Sequence, residues 1–315
     1  MTQKIILDCD PGIDDALAIV FAWGHPGIEL LGITTVAGNV GLDKTTANAL
    51  RVCEFIGAAD VPVVAGSPRP LLRAAITAHT AHGESGLEGA RLPAPVSEPR
   101  AGHAADFLAD TIAAAPGEIT LVATGPLTNV ALAVRREPEI VSQVRDFVIM
   151  GGSAGRGNVT PAAEFNIAAD PEAAAIVFDA GWTVTMVGLD VTLQTRAGAR
   201  VRERLGGLGR LADDLLLPCI AGYATTPGAA GPAVHDVCAV ASVASPGLFR
   251  CDPARVDVET AGRWTAGMTV TDFDAPPRER NARVAMHIDV PGFWDLVLGA
   301  YSLTAAAMDH NGAGQ

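Results

Sequence analysis

Residues 4–19 read KIILDCDPGIDDALAI, and the pattern of this stretch is the first indication of the fold. Its apolar start predicts a buried β-strand, because short apolar runs bounded by turn residues are typical of parallel-sheet strands. Pro11 and Gly12 predict a turn. A helical pattern then runs from Asp14 to about residue 23, with Asp14 or Asp15 suited to its N-terminus. The stretch therefore predicts a strand, a tight turn and a helix.

The same stretch places four carboxylates within eight positions, at Asp8, Asp10, Asp14 and Asp15. Like charges beside a core strand cost stability unless something positive neutralises them. Carboxylate oxygen is a hard ligand, which suits Ca²⁺ or Mg²⁺ better than zinc. An EF-hand is excluded, because isoleucines stand where that loop needs its glycine and its final glutamate. A bound dication is thus the leading explanation of the cluster, while turn and capping roles would explain any one aspartate alone.

Apolar strand-like runs alternate with helical patterns through the first two thirds of the chain. The runs are LLGITTVA (30–37), VPVVAG (61–66), EITLVATG (118–125), DFVIMGG (146–152) and WTVTMVGLDV (182–191). One intervening helix should begin with Asp170 as its cap and Pro171 in its first turn. This alternation predicts an α/β fold, a mainly parallel sheet flanked by helices in the manner of a Rossmann-like open sheet. We expect residues 1–315 to form one domain.

The last third of the chain is less regular. RVDVET (255–260), GMTVTD (267–272) and ARVAMHID (282–289) predict strands, and residues 291–306 predict a final helix. Another helix should start near His235.

Composition narrows the class of protein and its partners. The 315 residues are 49% hydrophobic and carry a formal net charge of −13. Such a charge argues against nucleic acid or an anionic membrane as partner, because both reward Lys and Arg. The five cysteines show no CxxC spacing, which indicates free thiols and a reducing compartment. With no signal peptide pattern visible, we expect a cytoplasmic protein.

Polar residues follow several predicted strands, where open parallel sheets bind their ligands. A strand followed by DxD is also found in metal-dependent aspartate-nucleophile phosphatases, which need a nearby lysine. Lys4 and Lys44 are the only lysines of the sequence, so this alternative is disfavoured. Further along, AVHDVCAV (233–240) and PAAEFNIAADPEA (161–173) contain polar residues that singly have ordinary capping or loop explanations.

Taken together, these segments resemble the inosine-uridine nucleoside hydrolase family, which are Ca²⁺-dependent N-ribohydrolases. The resemblance rests on DCDPGIDD (8–15), AGNV (37–40), HGESGL (82–87), ATGPLTN (123–129), MGG (150–152), GNVTPAAEFN (157–166) and VHDVCAV (234–240). The segments occur in family order, and DxDPGxDD is the most specific of them. The family fold is one α/β domain, in agreement with the pattern of strands and helices.

The resemblance implies a set of site residues. Ca²⁺ would be bound by Asp10, Asp15, Asp236 and the main-chain carbonyl of Thr124. The implied substrate residues are Asp14, Asn39, Met150, Asn158, Glu164, Phe165 and Asn166 around the ribose, and His82 and His235 near the base. The base-pocket loops of the family correspond to residues 73–82 and 219–233, which match the family less specifically. Tyr223 in the second loop contacts the base or is an ordinary surface-loop tyrosine.

The implied reaction is hydrolysis of the N-glycosidic bond of a ribonucleoside. Asp10 would accept a proton from a calcium-activated water, and the ribosyl group would pass through an oxocarbenium-like state. His235 would protonate the leaving base, a role that the ordinary pKa of histidine permits near neutrality. His235 also favours an inosine-uridine preference. A calcium-dependent protein that binds nucleosides without turnover is the alternative, and relatives imply a homodimer or homotetramer.

One departure from the family pattern is Cys9, where relatives commonly have Thr. Strand alternation should point it away from Asp8 and Asp10, so we expect a change of packing only.

Overall fold

The structure is a computed structural model, and it describes residues 2–223 and 229–312. Within these residues one sheet has nine strands. They are β1 (Gln3–Cys9), β2 (Ile28–Thr35), β3 (Val63–Ala65), β4 (Ile119–Ala123), β5 (Asp146–Met150), β6 (Val184–Val187), β7 (Phe249–Val258), β8 (Thr269–Asp272) and β9 (Ala282–Ile288).

The strands lie in the order β3-β2-β1-β4-β5-β6-β9-β7-β8. The first seven strands in this order, β3-β2-β1-β4-β5-β6-β9, pair in parallel with their neighbours. The last two pairings of the sheet, β9–β7 and β7–β8, are antiparallel. The predicted α/β fold with a mainly parallel sheet is confirmed.

Helices cover both faces of this sheet. They are α1 (Ile13–Gly24), α2 (Leu42–Phe55), α3 (His79–His82), α4 (Ala104–Ala114), α5 (Thr128–Arg136), α6 (Ile140–Gln143), α7 (Phe165–Ala169), α8 (Pro171–Phe178), α9 (Leu189–Thr192), α10 (Ala199–Leu205), α11 (Gly209–Leu211), α12 (Leu217–Gly222), α13 (Asp236–Ala244) and α14 (Val290–Gly312). A π-helical turn, Ala212–Leu216, joins α11 to α12. No helix among the described residues combines the length and apolarity that a bilayer crossing requires.

The core divides into two clusters, one on each face of the sheet. Ile5, Leu7 and Cys9 of β1 pack into the cluster that includes α1, α2, α13 and α14. Ile6 packs into the other cluster, with α4, α5 and α8. Cys9 is fully buried in the first cluster, which agrees with the packing role expected for it.

Helix boundaries follow the signals in the sequence. Asp170 caps α8 by accepting the Ala173 N–H at 3.1 Å, and Pro171 occupies the first turn, as predicted. At α1 the capping interaction comes from Asp15, whose Oδ2 accepts the Gly12 N–H at 3.0 Å.

Strand β7 begins earlier than the predicted strand at residue 255. Its first half includes Pro253, which pairs with Arg283 of β9. Strand β8 pairs only with residues Arg255–Val258 of β7. Pro253 therefore lies where one side of β7 has no strand partner, so its missing N–H costs no ladder hydrogen bond. An internal proline hid this half of the strand from the sequence pattern.

Candidate active site

The C-terminal ends of β1, β2, β4 and β5 meet at one edge of the sheet, and a cavity of about 450 Å³ opens there. Twelve of the predicted site residues line it: Asp14, Asn39, His82, Thr124, Met150, Asn158, Glu164, Phe165, Asn166, Tyr223, His235 and Asp236. Asp10 and Asp15 are fully buried beside them. The structure thus brings residues from distant parts of the chain to one place.

Three carboxylates converge at this cavity from two helix N-termini. Asp14 and Asp15 lie in the first turn of α1, and Asp236 lies in the first turn of α13. One oxygen atom from each of the three carboxylates lies within 4.8 Å of the other two. Partial positive charge at helix N-termini offsets only a fraction of this negative charge.

Asp10 lies beside this group, held in a space that two glycines provide. Its Oδ2 accepts the Asn39 N–H at 2.6 Å, while its Oδ1 is buried without a hydrogen-bond partner among the described residues. A Cβ on Gly38 would lie 2.1 Å from Oδ2, and one on Gly125 would lie 2.8 Å from Oδ1. Any larger residue at either position would displace the carboxylate.

Asp15 and Asn39 connect Asp10 to the end of β4. Asp15 Oδ1 accepts the Thr124 hydroxyl at 3.0 Å. The Asn39 side-chain amide donates to the Asp10 carbonyl and to Asp15 Oδ2, both at 3.1 Å. These contacts fix the carboxylates relative to each other.

Burial raises the pKa of every carboxyl of the cluster, and the charges of neighbouring carboxylates raise those of Asp10, Asp15 and Asp236 further. Burial, with Asp14 adding to it, raises the pKa of Asp15 to about 6. Burial raises the pKa of Asp10 well above its ordinary value, and the charges of Asp15 and Asp14 raise it further. The pKa of Asp236 is raised well above its ordinary value by burial and then by Asp14 and Asp15.

These residues fit a hard divalent cation. All the donors are oxygen atoms, one of them is buried and unpartnered, and neutralising the cluster would relieve the repulsion that raises its pKa values. The group within 4.8 Å contains Asp14, whereas the sequence assigned Asp10 to the metal and Asp14 to the ribose.

A second set of polar groups also lines the cavity. Glu164 caps α7, with Oε1 accepting the Asn166 N–H at 2.9 Å and Oε2 accepting those of Gly152 at 2.9 Å and Ile167 at 3.2 Å. Burial raises the pKa of Glu164 to about 7, against the effect of these hydrogen bonds. Asn158 Oδ1 accepts the Phe165 N–H at 3.0 Å, which leaves its amide N–H groups for a ligand.

Asn166 has a duty that the sequence did not reveal. Its side-chain N–H groups donate to the carbonyls of Thr124 at 2.7 Å and Met150 at 3.0 Å. The side chain therefore ties the ends of β4 and β5 together, and Oδ1 is the atom that it can offer to a substrate.

Two histidines and a tyrosine form the third side of the cavity. His82 Nδ1 accepts the Ile13 N–H at 3.0 Å, so its proton is on Nε2. Burial lowers the pKa of His82 to about 4, which keeps the ring neutral. The Tyr223 hydroxyl donates to Asp14 Oδ2 at 3.2 Å, and its ring lies 5.0 Å from that of His82. Tyr223 is thus part of the cavity wall, although residues 224–228 of the expected 219–233 base loop lie outside the described residues.

The pKa of His235 is lower than the ordinary value assumed from the sequence. Its Nδ1 lies 2.8 Å from the Thr192 hydroxyl. Burial lowers the pKa of His235, while Asp14 opposes that effect. The ordinary pKa assumed from the sequence therefore does not apply, because a buried imidazole loses the hydration of its charged form.

Sequence reasoning missed several contributors to the cavity. Ile76 and Val159 line it and are partly exposed, and Thr192 contacts His235 from behind. The 73–82 loop was expected near the base, but no motif singled out Ile76. Thr192 gave no signal at all, since a threonine in a short helix is unremarkable in sequence.

Comparison with known proteins places this fold and site. The profile of the family described as "Inosine-uridine preferring nucleoside hydrolase" matches residues 5–295. The inosine-uridine preferring nucleoside hydrolase of Crithidia fasciculata is 45% identical over 307 residues, covering 95% of this chain and 98% of the relative. A non-specific ribonucleoside hydrolase of Klebsiella pneumoniae is 47% identical over 294 residues, covering 93% and 96%.

Solved structures agree with the sequence relatives. A purine-preferring ribonucleoside hydrolase from Gardnerella vaginalis superposes with a TM-score of 0.91 at 34% identity, covering 97% of this chain and 100% of that one. The fold and site define an α/β enzyme of the N-ribohydrolase class. The chain belongs to the inosine-uridine preferring nucleoside hydrolase family.

Overall similarity does not separate base preferences within this group. A pyrimidine-specific ribonucleoside hydrolase of Shewanella woodyi is 45% identical to this chain over 304 residues, as similar as the inosine-uridine preferring relative. Overall identity therefore does not assign a base preference to this chain.

Proposed function

We propose that this enzyme hydrolyses the N-glycosidic bond of ribonucleosides to ribose and free base, with inosine and uridine among its preferred substrates. The observation that carries the proposal is the meeting of three sets of groups at one cavity. A buried carboxylate cluster, polar residues suited to a sugar, and two histidines all lie at this one cavity.

We propose Ca²⁺ as the cation, held by Asp10, Asp15, Asp236 and the Thr124 carbonyl. Ca²⁺ accepts six to eight oxygen ligands in flexible geometry, so a set of carboxylates and one carbonyl suits it. When bound, the cation would supply a water of lowered pKa and contacts to the ribose diol. The Thr124 carbonyl already accepts a hydrogen bond from Asn166, and its second lone pair remains for the ion.

Asp14 has two possible duties, and one substitution separates them. If Asp14 binds the ribose, Asp14→Asn should raise KM and leave calcium affinity close to that of the wild type. If Asp14 binds the metal, the same substitution should weaken calcium binding measured by calorimetry in the absence of nucleoside. We favour the ribose duty, because Tyr223 already directs one Asp14 oxygen toward the cavity wall.

Asp10 would act as the base that takes a proton from the attacking water. Its Oδ1 has no hydrogen-bond partner among the described residues and is free to accept that proton. The hydrogen bond from the Asn39 N–H to Oδ2 holds the carboxylate in place.

Glu164, Asn158 and Asn166 would hold the ribose, with Asn39 supporting the sugar from the metal side. Positive charge develops on the sugar ring in an oxocarbenium-like transition state. Fixed carboxylates and amide oxygens stabilise such charge because they are already oriented when it forms. Met150 and Phe165 would pack against the apolar surface of the sugar.

The leaving base gains an electron pair when the bond breaks, and it needs a proton or a hydrogen bond to hold it. His235 would donate from its ring N–H to this base, with the charge of Asp14 favouring the protonated ring against the effect of burial. His82 Nε2–H and the Tyr223 ring would contact the base. General acid help of this kind is typically worth about 10²–10⁴-fold in rate.

A reducing-sugar assay on inosine, uridine, cytidine and adenosine tests the proposal. Ribose release that a chelator abolishes and calcium restores is the expected result. Tight nucleoside binding without ribose release would show a binding protein instead, and phosphate release from phosphomonoesters would show a phosphatase. Light scattering on the same sample tests the expected homodimer or homotetramer.

A further inference from the structure

The His235 ring contacts one buried hydroxyl group. Thr192 Oγ1 lies 2.8 Å from His235 Nδ1, and it is the only hydrogen-bond partner of that ring among the described residues. Thr192 is fully buried at the end of α9, the short helix that follows β6. It does not line the cavity, so a contact with substrate is not its role.

Hydrogen bonds connect the backbone segments that carry Thr192 and His235. The Thr195 hydroxyl donates to the carbonyls of Thr192 and Val234, both at 2.8 Å. The Val234 N–H donates to the Thr195 carbonyl at 3.0 Å, and the Ala197 N–H donates to Pro232 at 2.9 Å. The Thr192 hydroxyl and the His235 backbone therefore belong to one fixed unit.

The ring itself is free to rotate about its side-chain bonds unless something holds a nitrogen. A hydroxyl both donates and accepts, so Thr192 can hold Nδ1 whether or not that atom carries a proton. With Nδ1 occupied, Nε2 is the nitrogen left for a ligand in the cavity.

We propose that Thr192 is a positioning residue that orients His235 so that Nε2–H meets the leaving base. This proposal rests on the proposed nucleoside hydrolysis. It assigns to a buried threonine outside the cavity a share in leaving-group departure and no share in holding the ribose or the cation.

Paired substrates isolate that share. Inosine and uridine release a base that needs a proton, whereas a 4-nitrophenyl riboside releases a stable phenolate that does not. Thr192→Val keeps the shape of the side chain and removes the hydroxyl. We expect kcat on inosine and uridine to fall about 10- to 100-fold, the scale on which a small misplacement of a catalytic group acts. On the nitrophenyl riboside kcat and KM should stay near wild type.

Thr192→Ser restores the hydroxyl and should restore turnover of inosine and uridine. The matched control is Thr304→Val, which removes a buried hydroxyl whose one hydrogen-bond partner among the described residues is the Ala300 carbonyl within α14. This control should leave the ratio of activities on the two substrate types unchanged. Thr192→Ala provides a second hydroxyl-free variant should valine prevent folding, and it should show the same selective loss.

Equal losses on both substrate types would overturn the proposal, because they would show general damage to the site. A serine variant as impaired on inosine as the valine variant would overturn it too. If the wild type released no ribose from any nucleoside, the proposed function itself would fail. If the wild type is active and the hydroxyl-free variants keep full activity on inosine, only the role of Thr192 fails.

Discussion

Replacing Asp10 by Asn should move activity and metal-free stability in opposite directions. The asparagine has nearly the same shape, and its Oδ1 can still accept the Asn39 N–H that now reaches Asp10 at 2.6 Å. It cannot accept a proton from water. Loss of the base should lower kcat about 10²–10⁴-fold, or about 3–5 kcal/mol in activation free energy.

Stability without a cation should rise in the same variant. Asp10 is fully buried, one of its oxygens has no partner, and Asp15 and Asp14 raise its pKa further above the level that burial sets. Removing a buried charge of this kind should stabilise the metal-free fold by about 1–3 kcal/mol. The new amide N–H groups would lie among carboxylates that can accept from them.

Calcium should then stabilise the variant less than the wild type. A ligand that binds only the folded state contributes about 2.7 kcal/mol at 100 times its Kd, and the variant should lose most of that gain. Denaturant unfolding in chelator and in calcium measures both terms, beside a ribose-release assay.

Asp170→Asn is the matched control, because Asp170 is equally buried but accepts hydrogen bonds from Leu71, Thr128 and Ala173. It should lose about 1 kcal/mol of stability, because an amide nitrogen cannot accept the hydrogen bonds that Asp170 Oδ2 now accepts from Leu71 and Thr128, and it should keep its kcat. Wild-type turnover by the Asp10 variant would refute its role as the base. A loss of metal-free stability as large as that of the control would refute the argument from repulsion.

Three further predictions concern the other sides of the cavity. His235→Ala should lower kcat on inosine and uridine about 10²–10⁴-fold and spare a nitrophenyl riboside, so matching losses on both would remove His235 from leaving-group chemistry. Asn166→Ala leaves the Thr124 and Met150 carbonyls without their donor, and urea unfolding should show a loss of about 1–3 kcal/mol; unchanged stability would contradict that duty. In chelator, stability should fall as pH rises from about 4 to about 7, because burial raises the pKa of Asp15 to about 6 and that of Glu164 to about 7. Asp10 and Asp236 are shifted in the same direction, so these four carboxyls bind more protons in the folded state than in the unfolded chain across this range. They outweigh the opposite effect of the lowered pKa values of His82 and His235, and a denaturation midpoint that rises with pH would contradict the sign.

The sequence predicted the parts of the fold that are local. The strand, turn and helix of residues 4–19 follow from an apolar run, a Pro-Gly turn and acidic residues at a helix start, and all three are present. Parallel pairing followed from the alternation of strands and helices. The first half of β7 was not predicted because it contains Pro253. A proline fits there since one side of β7 has no strand partner at that point, and the sequence pattern does not reveal this.

The candidate site divides in the same way. The residues that line the cavity were predicted because they stand in recognisable segments just after strands. The contacts that join them were not, since they link distant positions: Thr192 and His235 are 43 residues apart, and Asn166 and Thr124 are 42 apart. The lowered pKa of His235 likewise depends on burial, which only the folded structure supplies.

A crystal structure of the enzyme grown with calcium, with anomalous scattering to locate the ion, tests the central claim most directly. We expect one cation with oxygens of Asp10, Asp15 and Asp236 and the Thr124 carbonyl at about 2.3–2.6 Å. Carboxylates that turn away from one another, with no ion between them at saturating calcium, would contradict the account.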